Sequence, residues 1–541
     1  MRLREILILT GLVLLCAVLI IMAAIEVYPG GLETANATDA ASTTFSAENP
    51  NQTAVSINDR QDFGAESNPT GSPIGGGDSY RDRITPRDQR VRSIVTTTDE
   101  LIAALRDAES GDIVYIDEAA RINLTAAPGE VTIPGGVTLA SNRGTRSVTG
   151  TASYLFDIVE PGDYVLWARA SASGEGGSSV WISVDDQEMK RWDLETGGDW
   201  QWNRRGAHYL SSGRHILDIH WREGGLNLDE ILITGDADYR PDAAPEEPDG
   251  KNYARIEAES GMLSGNLERI EESTPSGGAY ISTPGSSASD EDPASPGGQV
   301  FLGPADSDQR VGLVAGGENV RITGIQLEGP DMGNNTVDQP AIGIYSAYRN
   351  LEVDNCEIRG WSGAGIGIFG TGGSDMKAGG YVHHNYIHHC QMDGLGYGVV
   401  VSGGAVSLIE ANYFDYCRHA IAGSGVGGDG YEARYNICGP NFVAGSSHNF
   451  DMHGTSSGST TIAGDTIKIH HNTFRATGPL NAFPVAIRGV PRDGAYIDHN
   501  WFYYTLAPPV WQTGGQGGIS MTDNLIGQAG VLSRSGPIRY Y

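Results

Sequence analysis

The sequence predicts an all-β protein: a solenoid of short parallel strands interrupted by an antiparallel β-sandwich. Three observations carry this. Glycine makes up 75 of 541 residues while long amphipathic helical patterns are few, which favours strands joined by tight turns. A six-residue pattern recurs between 322 and 526 at steps of 24 to 36 residues. Residues 162–233 instead alternate apolar and polar positions between turns that mostly contain Gly or Asp.

The recurring hexamer opens and closes on an apolar residue and usually carries Asn in fourth place. It reads Val353-Asp-Asn-Cys-Glu-Ile358, Val382-His-His-Asn-Tyr-Ile387, Ile409-Glu-Ala-Asn-Tyr-Phe414, Ala433-Arg-Tyr-Asn-Ile-Cys438, Ile469-His-His-Asn-Thr-Phe474, Ile497-Asp-His-Asn-Trp-Phe502 and Met521-Thr-Asp-Asn-Leu-Ile526. An earlier copy, Ile322-Thr-Gly-Ile-Gln-Leu327, lacks the Asn. One strand–turn–strand element per period lets each coil pair with the next at about 4.8 Å. Asn385, Asn412, Asn436, Asn472, Asn500 and Asn524 then form a structural ladder, because Asn tolerates left-handed turn geometry and its amide bonds the amides above and below. The pattern resembles the right-handed parallel β-helix of the pectate-lyase-like superfamily, over about 93–145 and 296–541. The opening fits that resemblance: residues 91–108 read as a strand and then a helix with Leu101, Leu105 and Ala108 on one side. Such proteins often open with a helix capping the first coil. The resemblance implies a fold and not a reaction.

Between Gly144 and Gly297 the coil pattern stops. Gly162-Asp-Tyr-Val-Leu-Trp-Ala-Arg169, Val180-Trp-Ile-Ser-Val184 and Arg214-His-Ile-Leu-Asp-Ile-His-Trp221 alternate as strands do. We expect residues 146–285 to form one inserted sandwich, between β-helix coils at 93–145 and a main body at 286–541. The insert resembles carbohydrate-binding modules related to malectin and the galactose-binding-like sandwiches. The stretch like Ile256-Glu-Ala-Glu-Ser260 normally comes first in those modules, and here it follows residues 228–233. A circularly permuted module accounts for this and predicts that the two stretches pair. The resemblance implies a structural calcium shared by Glu257, Glu259 and Asp229; solvated acidic side chains are the alternative. Trp200 and Trp202 are candidate platforms for a sugar ring, and the resemblance implies a ligand-binding polar group at Asn227.

At the N-terminus, residues 6–25 form an uncharged apolar run, long enough to span a bilayer as a helix. Arg2 and Arg4 place its start in the cytoplasm. We read residues 1–29 as a single-pass membrane anchor, or as a signal segment if cleaved, which leaves the bulk extracellular. Residues 30–92 are polar and poor in apolar groups, and read as a disordered stalk. The formal net charge of −31 excludes nucleic acid as a partner. Lys190, Lys251, Lys377 and Lys468 are the only lysines, and an acidic, lysine-poor chain suits high salt.

Candidate chemistry comes from strand alternation on the β-helix. With Val399, Ile421, Met452 and Ile487 taken as equivalent inward positions, Gly398, Ala420, Asp451 and Ala486 point outward in one column, and Val400, Ala422, His453 and Arg488 in the next. Arg418 lies two residues before Ala420. Arg418, Asp451, His453 and Arg488 are therefore the candidate catalytic group: arginines for an acidic sugar, a histidine beside a carboxylate for proton transfer. A surface ion-pair network is the alternative. Arg488-Gly-Val-Pro-Arg-Asp-Gly494 partly resembles the Arg–Pro–Arg–Gly signature of pectate lyases, in which the first Arg acts on the substrate, although the spacing departs. The paired histidines His383, His384, His388, His389, His470 and His471 read as coil-turn residues, and His419 as a bonded core histidine. Cys390 and Cys417 occupy the same position in successive coils, within reach of a disulfide; Cys356 and Cys438 read as buried thiols. Together these features predict a membrane-anchored surface protein that binds and degrades a polysaccharide. A lyase is favoured over a hydrolase, because hydrolysis needs two carboxyl groups and the groove offers Asp451. The alternative is a non-catalytic protein that binds glycans or cell-envelope polymers.

Overall fold

The computed structural model describes residues 52–54 and most of 62–540; positions 1–51, 55–61 and several loops, such as 143–149, 173–178, 185–189, 283–298 and 303–309, lie outside the described residues. The expected membrane segment at 6–25 falls among those positions. No helix of the described residues is long and apolar enough to cross a membrane. The chain divides into two compact units, one of residues 1–76, 81–143 and 297–541, the other of 77–80 and 144–296.

The first unit is a parallel β-helix with three long sheets of 12, 11 and 10 strands. Each coil contributes one strand to each sheet. In one coil these are Tyr381–His383 in the second sheet, Tyr386–His388 in the first and Tyr397–Ser402 in the third. Inward residues stack on their counterparts in the next coil: Ile322, Val353, Val382, Ile409, Ala433, Ile469 and Ile497 form one fully buried column. A helix, Thr98–Asp107, opens the solenoid, and its buried Leu101 and Leu105 join the same core. Thr97 caps it, accepting from the Glu100 backbone N–H while the Glu100 side chain reaches back.

The Asn ladder accounts for the sharp corner between second and first sheets. Asn412 Oδ1 accepts from the backbone N–H and the side-chain amide of Asn385, both at 3.0 Å, and Asn412 Nδ2 donates to Val382 O and Asn436 Oδ1. The left-handed residue, however, is the one before each Asn: His384, Ala411, Tyr435, His471 and His499 have φ of 52° to 55°. The amide has to point into the coil to reach its neighbours, so the reversal falls one position earlier. Cys356 ends the ladder, since its thiol cannot replace the amide.

Part of the stretch expected as a disordered stalk over 30–92 is ordered. Residues 62–76 lie along the ridge of ladder turns: the Gly64 N–H donates to His499 O and the Gly75 N–H to Ala411 O. Thr70 Oγ1 lies 2.9 Å from His384 Nε2, and Phe63 buries its ring against Leu525 and Leu532, worth roughly 2 kcal/mol. At Gly76, with φ of 76°, a Cβ would meet His384 O at 2.3 Å. Gln52–Ala54 pairs antiparallel with Val531–Ser533 and covers the far edge of the first sheet. All four cysteines of the β-helix are buried free thiols, so Cys390 and Cys417, placed within reach of a disulfide by their spacing, are not bonded. Each thiol leans instead on a backbone carbonyl, that of His388 and Ile387 respectively.

The second unit is a pair of antiparallel sheets of five and six strands. Its core, including Phe156, Leu166, Ile182, Trp221, Ile231 and Ile281, draws on both. Tyr253–Glu257 pairs antiparallel with Leu226–Thr234, Ile256 opposite Ile231, as a permuted module requires. The chain leaves the solenoid after Thr138–Ala140 of the second sheet and returns at Gln299–Phe301 of the first. The insertion therefore takes the place of the tight Asn turn found in later coils.

Candidate functional site

The outer face of the third sheet carries a continuous column: Val400, Ala422, Asp451, Ala486 and Trp511 stand opposite one another in successive coils. This corrects the inferred alignment. Ile421 pairs with Phe450 and Gly423 with Met452, two residues away from the expected match, so Asp451 lies below Ala422 rather than Ala420. A slip of two preserves strand parity, and Asp451 still faces outward. Ala422 and Ala486 leave space on either side of it.

Arg418, Asp451, His453 and Arg488 converge. Arg488 grips Asp451 with two hydrogen bonds, Nε to Oδ1 at 3.1 Å and Nη2 to Oδ2 at 2.6 Å. His453 Nε2 comes within 2.8 Å of Asp451 Oδ2, off the axis of a full hydrogen bond. Two further histidines join them. His448 Nε2 lies 3.4 Å and His419 Nε2 3.7 Å from Asp451 Oδ2, and their rings stack at 4.1 Å. Arg418 Nη1 meets His419 Nε2 at 2.9 Å, and Arg488 Nη2 meets His448 Nε2 at 3.1 Å. Tyr397 stacks over His419 at 5.7 Å and stands edge-on to His453.

His419 is buried and bonded, as expected, but it belongs to the Asp451 cluster rather than to the solenoid core. Alternation breaks at the start of these strands: Tyr397 and Val400 lie together in an outer apolar cluster, while Val399 belongs to the core. His419, opposite Tyr397, inherits its outward direction. His448 precedes the strand Phe450–Met452, where no periodicity signals its direction.

Burial alone would lift the Asp451 carboxyl, but Arg488, then His453 and His448, outweigh it and hold it well below the usual carboxylate range. Burial pulls His448 down to about 4 and His419 well below its ordinary value, with Arg418 and Arg488 acting in the same direction. Burial also raises Tyr397, which stays a phenol. The centre is therefore an ionised carboxylate with two neutral histidines and two guanidinium groups.

His419, His448 and Asp451 offer ligand atoms within 4.8 Å of one another. A divalent cation does not suit them. The histidine nitrogens that face Asp451 are the same ones that meet Arg418 and Arg488, so a cation would sit between two fixed positive charges.

In the second unit, Trp200 and Trp202 part company. Trp202 packs against the buried cluster of Val165, Trp167 and Leu232. Trp200 stands edge-on to Tyr280 at 5.3 Å with the Arg169 guanidinium 5.7 Å from its ring. Asn227 donates to Ser171 Oγ and accepts from Ser282 Oγ. Asp229 sits fully buried at a bulge in its strand. It pairs with Arg169 and leaves Oδ1 without a partner among the described residues. Glu257 Oε2 and Glu259 Oε2 are likewise buried and unpartnered. Gly277, at φ of 64°, presents a bare Cα to both glutamates, where a Cβ would meet Glu259 Oε1 at 2.6 Å. Burial raises the pKa of Asp229 and of Glu259, and the charge of Glu257 adds to it in both. These orphaned hard oxygens fit a calcium ion.

A profile of right-handed β-helix regions matches residues 322–526. No curated protein matches the sequence. Among solved structures, a family 35 carbohydrate binding module from an environmental isolate shares 21% identity over 16% of this chain and 66% of the module, with a TM-score of 0.15. A β-glucosidase from Paenibacillus barengoltzii shares 15% over 20% of this chain and 12% of that chain, with a TM-score of 0.14. The chain thus spans less than two thirds of either. The catalytic domain of a GH87 α-1,3-glucanase bound to nigerose shares 9% over 75% of this chain and 82% of that domain, with a TM-score of 0.24.

Proposed function

We propose that the chain binds an acidic, uronate-containing polysaccharide along the outer face of the third sheet and cleaves it by β-elimination. One observation carries the reading. In a chain of net charge −31, a single buried carboxylate, Asp451, is ringed by two arginines and three histidines, and no second carboxyl group joins that cluster among the described residues. Arg418 and Arg488 neutralise the uronate carboxylate, which acidifies the proton at C5. His453, with Nε2 turned to Asp451, takes that proton at Nδ1. The C4–O bond breaks as the C4–C5 double bond forms, and the same imidazole returns the proton to the departing oxygen. Export with residues 6–25 as an anchor directs this activity at extracellular polymer. A panel of acidic and neutral polysaccharides tests it, with ultraviolet absorbance reporting unsaturated ends and a separate assay reporting reducing ends. Both signals rising together support elimination. Reducing ends without absorbance mean hydrolysis, and binding with neither means a non-catalytic surface protein.

The inserted sandwich holds calcium through Asp229, Glu257 and Glu259 and presents Trp200, Tyr280 and Asn227 to a sugar. The orphaned buried oxygens support the first part. Adding calcium to the chelated full chain is expected to raise one unfolding transition by several degrees, with magnesium doing much less and Glu259→Gln abolishing the shift. An unchanged transition removes calcium from the account. Trp200→Ala is expected to weaken glycan binding and Trp202→Ala to lower stability instead, because its ring is packed.

A further inference from the structure

Beyond Asp451 the outward column continues through Ala486 and Trp511 to Arg539. Ala486 is small and buried, so no side chain rises between Asp451 and Trp511, two coil steps or about 10 Å away. Trp511 is half-buried. Its ring lies 5.8 Å from Phe483 at 34° and 6.2 Å from His448 at 53°. The exposed Arg539 places its guanidinium 5.5 Å from the Phe483 ring. Two aromatic rings outside the solenoid core, one of them touching the Asp451 cluster through His448, lie here beside a cation.

We propose that Trp511 and Phe483, with Arg539 beside them, form a second subsite that takes a neighbouring sugar of the same acidic chain. The polymer then runs along the solenoid axis across Asp451. This rests on the reading of the third-sheet face as an acidic-polysaccharide site and adds the direction and length of the bound segment. The indole covers the apolar face of a pyranose, which stacking favours and which tolerates different sugars. Arg539 meets the carboxylate of that residue with paired N–H donors, as a planar guanidinium does best. The Arg488–Asp451 pair stands at one end and Arg539 at the other, so uronates set two coils apart are the spacing that fits.

The test is affinity electrophoresis of the full chain in gels containing polygalacturonate, alginate or heparosan, followed by kinetics on any polymer that is cleaved. Trp511→Ala is expected to bind the preferred polymer roughly tenfold more weakly, with the loss appearing in KM rather than kcat and vanishing on the shortest cleaved oligomer. Trp511→Phe should retain most of the affinity, and Arg539→Gln should lose affinity most visibly at low salt. Unchanged affinity of Trp511→Ala, where the wild type binds, overturns the subsite and leaves the cleavage reading intact. If Trp511→Ala does not fold, Arg539→Gln decides, since its position is exposed: unchanged affinity there overturns the proposal. A wild type that binds none of the three polymers overturns the subsite and the cleavage reading together.

Discussion

Two outer faces of the same solenoid use the same residue types to opposite ends. On the second sheet, Glu352, Asp354, Glu410, Glu432 and Asp498 alternate along the stack with Arg321, Arg434, Lys468, His383 and His470. Every histidine there meets a carboxylate of the preceding coil: His383 Nε2 lies 3.1 Å from Glu352 Oε1 and His470 Nε2 3.5 Å from Glu432 Oε1. On the third sheet, one carboxylate serves three histidines and an arginine. The second face is balanced and each ion has its partner. The third face sets three histidines and two arginines around one carboxylate acceptor, and on that surplus of basic side chains the proposed anion site rests. Charge type alone separates neither face; the ratio of acceptors to donors does.

The sharpest way to break this comparison is to remove the buried carboxylate from each face. Asp451 and Asp354 are both fully buried and each is held by an arginine with two bonds. Asp451→Asn and Asp354→Asn should each cost about 3 kcal/mol, measured by denaturant unfolding, because an arginine is left without its charge partner. Turnover should separate them: at least 100-fold lower for Asp451→Asn, which unties His453, and within about twofold of wild type for Asp354→Asn. Equal losses of turnover would mean that the third face is another structural ladder.

A second, intermediate effect lies in acid. His384, His389, His448 and His471 are each pulled down to about 4, first by burial in every case. The unfolded chain then binds more protons than the folded one between about 6.5 and 4, so stability falls as pH drops through that window. Glu432 and Asp451 sit far lower and keep their charge there, so this loss belongs to the histidines. His389 and His471 occupy left-handed positions, where Asn is tolerated. The His389→Asn/His471→Asn double variant should show a shallower fall in unfolding temperature between pH 6.5 and 4. An unchanged slope would assign the acid loss to the two histidines left in place, His384 and His448.

What could be read from the sequence follows from how local each device is. The Asn ladder is written one residue per coil, because each amide needs an identical amide a coil away, and its stacking was legible, whereas the left-handed turn falls one residue earlier than expected. Asp451, His453 and Arg488 were legible through parity, which survived the two-residue slip in alignment. His419 and His448 were not, because they stand where strand alternation breaks or before it begins. The path of residues 62–76 was hidden for a different reason. Backbone bonds such as those from Gly64 and Gly75 hold it to the ridge, and composition says nothing of where a backbone N–H will find its acceptor.

The smallest expected effect sharpens the contrast from the balanced side. Lys468 Nζ lies 3.1 Å from Glu432 Oε2 on the second face, and the lysine side chain is 45% exposed. Glu432 also receives Arg434 at 3.0 Å and His470 at 3.5 Å, so losing one cation leaves it partnered. Lys468→Ala should therefore cost less than about 1 kcal/mol at low salt, and nothing measurable at 1 M, where the Debye length is about 3 Å. Affinity for the acidic polymer should not change, because the lost charge is already spent on a carboxylate. If Lys468→Ala weakens polymer binding as much as Arg539→Gln does, the second face also takes part in binding. The acceptor-to-donor ratio would then fail as the feature that distinguishes the two faces.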